Sequence, residues 1–320
     1  MNILRWLLTT QLKSSHKHNK NSGFTLIELL VAMIVAFLVI TPLLGFMIGI
    51  LNTDRQEQAK ANSEQEIKTA LDYITRDLQQ ALYIYDDTTS TGIISQIPTV
   101  TNGVPVLIFW KREFSKDAVE TKNSGGVVQF KDDSFVYSLV AYYLIQDSNS
   151  NWSQAARIAR WEIKDGVINS SGNTCTGFSE KYSQCPDKGF KSFDLSQKGV
   201  TLQTKMNSWT NSLAAGVTYD QNPVVLVDFI DQTTTTQGAP AATCSSGFQQ
   251  FPGTITRTGF YACVKSVDGD NRSTVEVYLR GNAQARLIND ETKVRYAQNK
   301  SSYFPSGNIK VQGRSFIFTK

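Results

Sequence analysis

From Phe24 to Leu51 the chain runs for 28 residues, and Glu28 is the only charged one among them. A helix of about 20 apolar residues crosses the hydrocarbon core of a bilayer, so this run is long enough to span. It is also too long for the apolar core of a secretory signal, which takes roughly 7–15 residues. The pattern then changes. Ile67, Leu71, Ile74, Leu78 and Leu82 recur at spacings of three and four, which marks one apolar stripe on a helix. Neither proline nor glycine occurs between Asn52 and Asp87. One continuous helix is therefore predicted from about Phe24 to about Ala81, bare over its first half and needing cover along its second.

Beyond it the pattern turns to strands. "VPVLIFW" (104–110), "FVYSLVAYYLI" (135–145) and "VVLVDFI" (224–230) read as buried strands. In "ARIARWEIKDGVI", Ala159, Trp161 and Ile163 share one face and Arg160, Glu162 and Lys164 the other, with Asp165-Gly166 as a tight hairpin turn. "FYACVKSVDGDNRSTVEVYLR" reads as a second hairpin that turns at Asp268–Asn271, and "SFIFT" closes the chain as a strand. "DSNSN", "NSSGNT" and "DQTTTTQGAPAAT" have the composition of polar loops, the last of a mobile surface loop.

Charge adds a topology. The first 23 residues carry Arg5, Lys13, Lys17 and Lys20 with no acid. Cations beside a span stay in the cytoplasm, so the N-terminus is expected inside and everything after Leu51 outside. The net charge of +4 is equal to those four leader cations, so the remainder is neutral and gives no reason to expect nucleic acid as a partner.

"GFTLIELLVAMIVAFLVI", after a basic leader, resembles the N-terminus of type IV prepilins. The resemblance implies a cut between Gly23 and Phe24 by a prepilin peptidase and N-methyltransferase, which then methylates the Phe24 amine. Glu28 becomes the fifth residue of the mature chain and an assembly residue, pairing with the amine of a neighbouring subunit; pairing offsets part of the cost of both charges in lipid. Pro42, Gly45 and Gly49 become the flexible stretch of the helix: Pro42 removes a backbone hydrogen bond, and the G-x-x-x-G pair permits close helix contact. "VAYYLI", "ARIARWEIKDG" and "VVLVDFI" resemble the larger minor pseudopilins of type II secretion and W-type minor pilins. "DYITRDLQQALYIY", "GFYACVKS" and "VYLRGNA" resemble a pseudopilin of hormogonium polysaccharide secretion.

These resemblances imply an α+β fold, a long helix packed on a mostly antiparallel β headgroup. The implied organisation is a cytoplasmic leader (1–23), a transmembrane or fibre half of the helix (24–51), an amphipathic half (52–86) and a periplasmic headgroup (87–320). Other pilins or pseudopilins and an inner-membrane assembly platform are the implied partners, with polysaccharide as a possible one.

Cys175, Cys185, Cys244 and Cys263 all fall in the outside portion, where disulfides persist. Three pairings exist; the local one, 175–185 with 244–263, is favoured, each bridge contributing up to roughly 3 kcal/mol in the chain-entropy model. A metal site is the alternative, but neither pair has C-x-x-C spacing. The only histidines, His16 and His18, lie in the leader, so the mature chain would hold no Ser-His-Asp or Cys-His arrangement. No cofactor, metal site or catalytic residue is expected. Asp268, Asp270 and Asn271 supply oxygen atoms of the kind calcium takes, although "DGDN" between strands is far more often a turn. Trp110, Trp152 and Trp209 have rings that stack on sugars, but core packing is the better expectation for most. Two readings follow: a minor pseudopilin of a fibre that supports secretion, and a membrane-tethered binding module or enzyme acting on polysaccharide. A minor pilin of an adhesion or motility pilus is a variant of the first.

Overall fold

The computed structural model describes residues 23–86, 91–147, 150–198, 200–265 and 273–313. Residues 1–22 of the leader, the turn at 268–271, the candidate calcium residues, "SFIFT" and residues 148–149 of "DSNSN" lie outside the described residues. The chain divides into two compact units, Met1–Asp54 and Arg55–Lys320.

The fold is α+β: a long N-terminal helix and antiparallel sheets. Helix α1 runs unbroken from Leu26 to Gln79. Every residue of 23–54 is exposed. In the second unit the helix buries Ala59, Ser63, Ile67, Ala70, Leu71, Ile74, Asp77 and Leu78. The helix stops short of the expected boundary at residue 86. Gln80 N–H bonds back to the Asp77 carbonyl, and Ala81–Ile84 form strand β1. Leu82 is therefore a strand residue and not the last member of the helical stripe. Aromatic and β-branched residues such as Tyr83 and Ile84 favour the pleated surface that β1 joins.

Strands β2 (Gly103–Lys122), β3 (Val128–Ile145), β4 (Ala156–Lys164) and β7 (Val224–Ile230) complete a five-stranded sheet in the order β1-β2-β3-β4-β7. A four-stranded sheet has the order β11-β10-β9-β8, from β8 (Gln249–Phe251), β9 (Phe260–Lys265), β10 (Thr274–Arg280) and β11 (Ser306–Gln312). Strands β5 (Val167–Thr174) and β6 (Lys181–Gln184) pair with each other. Short helices α2 (Thr91–Ile94) and α3 (Leu202–Asn207) sit in the connections. The β9–β10 hairpin is as expected, with Val275, Val277 and Leu279 on its buried face.

Four segments differ from the sequence expectation. Asp165-Gly166 is not a hairpin turn, because β4 pairs with β3 and β7 while β5 pairs with β6. The backbone of Lys164 is instead tied to Asp187, and Gly166 passes so close to Tyr182 and Pro186 that a Cβ there would collide. "NSSGNT" is not a loop but the body of β5. "VVLVDFI" is not a fully buried strand: β7 is the sheet's edge, carries two register breaks against β4, and leaves Val224 70% exposed. An apolar run cannot by itself distinguish a central strand from an edge. At the start of "DQTTTTQGAPAAT", Asp231, Gln232 and Thr233 are buried rather than mobile at the surface, with Asp231 Oδ2 2.7 Å from Arg280 Nε.

Helix and sheet meet closely. A Cβ on Gly307 would strike Leu71 Cδ1 at 2.8 Å, and one on Gly281 would press on Ile67 at 3.2 Å. Further along the helix, Asp77 is buried and takes three partners: Arg160 Nε at 2.7 Å, the Tyr142 hydroxyl at 2.7 Å and Lys111 Nζ at 3.2 Å. Glu162 pairs in turn with Arg160 at 2.9 Å and Lys111 at 3.0 Å. Burial would push the Glu162 carboxyl up, but Arg160 and Lys111 outweigh it and hold the carboxyl at about 2, below the usual 4.5. The same two carboxylates keep Lys111 above its ordinary range against its own burial.

Removing Asp77 leaves the buried Tyr142 hydroxyl without its acceptor and leaves Glu162 to balance both Arg160 and Lys111. Asp77→Ala is expected to lower unfolding stability by about 1–3 kcal/mol in a denaturant titration. Because the folded carboxyl of Glu162 titrates lower than the unfolded one, its contribution is present above pH 4.5 and is lost as the pH falls towards about 2. Glu162→Gln should flatten that part of the acid stability profile; an unchanged profile would show that Glu162 does not contribute it.

Candidate functional site

Gly23, Phe24 and Thr25 precede the first helical turn and are exposed. Phe24 has 86% of its surface open, so the Gly23–Phe24 bond lies in accessible, non-helical backbone. The Thr25 carbonyl accepts the first helical hydrogen bond, from Leu29 N–H at 3.1 Å. That makes Thr25 the N-cap and Glu28 the third helical residue.

Their side chains close a reciprocal box. Thr25 N–H donates to Glu28 Oε2 at 3.0 Å, and the Thr25 hydroxyl donates to the same oxygen at 2.9 Å. Glu28 N–H donates to Thr25 Oγ1 at 3.3 Å. The arrangement satisfies N–H groups that a helix start leaves open and sets a negative group against the positive end of the helix dipole. Glu28 thus has a partner within its own chain, on one carboxylate oxygen, while Oε1 has no hydrogen-bond partner among the described residues. The signal was in the sequence as T-x-x-E directly before an apolar run, and reading Glu28 only as a charge in lipid passed over it.

Downstream, the helix continues through Pro42. Thr41 Oγ1 donates to the Phe37 carbonyl at 2.8 Å in the turn before Pro42. A Cβ on Gly45 or Gly49 would meet nothing within 4 Å. No contact among the described residues requires glycine at either place. Among the described residues, Leu26–Gln79 is a helix long and apolar enough to cross a membrane, and none of its most apolar window is buried.

Residues 18–44 match the prokaryotic N-terminal methylation motif. The match supports a type IV pilin-like protein, processed by a prepilin peptidase and assembling with other pilins. The apolar helix and the motif suit anchoring in the inner membrane. Comparison with curated proteins and with solved structures found no match.

The four cysteines lie far from this segment in sequence. The structure joins Cys175 to Cys185, with Cα atoms 5.7 Å apart, and Cys244 to Cys263, 5.6 Å apart. The first bridge ties the ends of the β5–β6 ribbon; the second ties the 240s loop to β9. Among the described residues no group of three or more His, Cys, Asp or Glu is placed to hold a metal ion. Trp110 and Trp209 are buried and contact each other edge to face at 5.5 Å, so both are core residues.

Gly23→Val puts a β-branched side chain immediately before the scissile bond. The uncut, full-length protein should accumulate in membranes, visible as a band about 23 residues larger on immunoblots. Wild-type-sized protein from the variant would remove Gly23 from the processing site.

Proposed function

We propose that this chain is a minor pseudopilin, cut between Gly23 and Phe24 and methylated on Phe24, that co-assembles at the inner membrane into a type IV pilus-like fibre supporting secretion. The exported material in this reading is polysaccharide, in a system linked to gliding motility. The observation that carries the reading is the methylation motif on an apolar helix whose surface is exposed throughout 23–54.

In this account Glu28 has two successive partners. Before assembly its carboxylate caps its own helix through Thr25. The cut frees an amine on Phe24, and Oε1, which Thr25 does not engage, faces the choice between that amine and the amine of a neighbouring subunit. An uncompensated charge in lipid costs several kcal/mol, so the pairing biases the subunit towards the fibre. Gly45 and Gly49 leave a shallow path along the helix for another helix to approach.

Cap and intersubunit pair separate by mutation. Thr25→Val removes the hydroxyl and keeps the charge; losing a cap costs about 1 kcal/mol. Glu28→Gln keeps the size and removes the charge; breaking a buried pair costs ~3–5 kcal/mol. Both variants should be cut and inserted. Crosslinking to partner pilins, at matched protein levels, should stay near wild type for Thr25→Val and fall at least about tenfold for Glu28→Gln. Equal losses would make Glu28 a helix cap only, and undiminished crosslinking of Glu28→Gln would sink the assembly role.

A further inference from the structure

Within the second unit, a cavity of about 740 Å³ opens between the segment after α2 (residues 95–100), the end of β3 and the loop that leads into β7. Its walls are tied together before any ligand arrives: Asn211 N–H donates to Gln96 Oε1 at 3.0 Å, and Asn211 Nδ2 to the Gln96 carbonyl at 3.1 Å. Ile97, Ile145 and Val225 contribute apolar surface. The size and the mixed lining are those of a small-molecule site.

Trp152 lies on this cavity with 39% of its surface open, whereas Trp110, Trp161 and Trp209 are all buried. Arg157 lies 5.9 Å from its ring, and Asp147 holds the guanidinium through two hydrogen bonds, at 2.6 and 2.9 Å. Both terminal nitrogens are thereby engaged and the charge is compensated. Arg157 is only 5% exposed, and its Nε has no hydrogen-bond partner among the described residues. A buried donor without an acceptor is the kind of group that a ligand oxygen or a bridging water satisfies.

Among the described residues Arg157 is the one charged residue in the lining, so the paired cavity carries no net charge there to attract an ion. Thr99, Thr218 and Asn222 are exposed on it, and their side chains make no hydrogen bonds among the described residues. The cavity therefore offers an open aromatic surface, uncommitted hydroxyls and an amide, and no unpaired charge.

We infer that this is a binding site for a neutral sugar, with one pyranose ring lying on the Trp152 indole and its hydroxyls taken by Thr99, Thr218 and Asn222. A pyranose has one face of C–H bonds that packs on an aromatic ring, and hydroxyls around its edge that need polar partners. An aliphatic ligand would leave the hydroxyls and the amide unpaired, and an ionic one would lose its hydration without a countercharge. The inference stands on this cavity and goes beyond the fibre reading, since a subunit of any fibre, or of none, could bind through it.

The test uses the full-length protein in a detergent without a sugar head group. Cellotriose, maltotriose and chitotriose are titrated by saturation-transfer NMR and tryptophan fluorescence, with a galacturonate trimer and a medium-chain fatty acid as charged and apolar comparators. At least one neutral trisaccharide should bind saturably and more tightly than either comparator. Trp152→Ala should weaken it about tenfold, and Trp152→Phe by less. Asn222→Ala, at an exposed loop position, should also weaken binding with an unchanged melting temperature; it serves if Trp152→Ala fails to fold. Absence of saturable binding by all three neutral sugars would overturn the proposal. So would tighter binding of a comparator, or affinity indifferent to both Trp152→Ala and Asn222→Ala.

Discussion

Twenty large apolar side chains between Phe24 and Leu51 are exposed, and that surface is the constraint on which the rest of the molecule depends. Transfer from water is worth roughly 1.5–3 kcal/mol for each fully buried side chain of this kind, so the segment as a whole favours lipid or protein cover by tens of kcal/mol. Such a surface has to lie in a membrane or among other helices. The Glu28 carboxylate is the one charge that works against burial. The structure shows how it is kept tolerable in a single chain, by accepting two hydrogen bonds from Thr25 at the first turn.

Past Asp54 the same helix meets the opposite demand. Its stripe from Ala59 to Leu78 is covered, and Gly281, just past β10, and Gly307, in β11, allow the backbone to come within contact of Ile67 and Leu71. Asp77 then pins the last turns to the five-stranded sheet through Lys111, Tyr142 and Arg160, which come from β2, β3 and β4 respectively. Apolar contacts tolerate small slips along a helix, whereas a buried carboxylate held by three donors specifies one position. The cluster therefore sets the position of the helix on the sheet more sharply than the apolar stripe does.

Much of this was legible in the chain. The spacing of Ile67, Leu71, Ile74 and Leu78 announced the covered face, and the alternation in 159–164 correctly separated the core side of β4 from the charged side that meets Asp77. What stayed hidden depended on contacts distant in sequence. Asp77 is 34 residues from Lys111 and 83 from Arg160, so nothing local marks it as more than a helix-surface acid. The same holds for Asp165-Gly166, whose turn chemistry suggested a hairpin until Asp187 and Tyr182 claimed the space. It holds also for "VVLVDFI", whose place at the sheet edge follows from strand order. Thr25 was missed for a different reason: its capping pattern was local and readable, but the charge of Glu28 in an apolar run offered a more conspicuous explanation. Trp152 was one of three candidate stacking rings, and burial separated it from the other two.

The central claim is that the bare apolar helix belongs to a processed, fibre-forming subunit, and the mature N-terminus tests it most directly. Intact-mass measurement and N-terminal sequencing of protein extracted from membranes should show a chain that begins at Phe24 and carries one methyl group on its amine. A chain that still begins at Met1, or one cut at any other bond, would contradict the account.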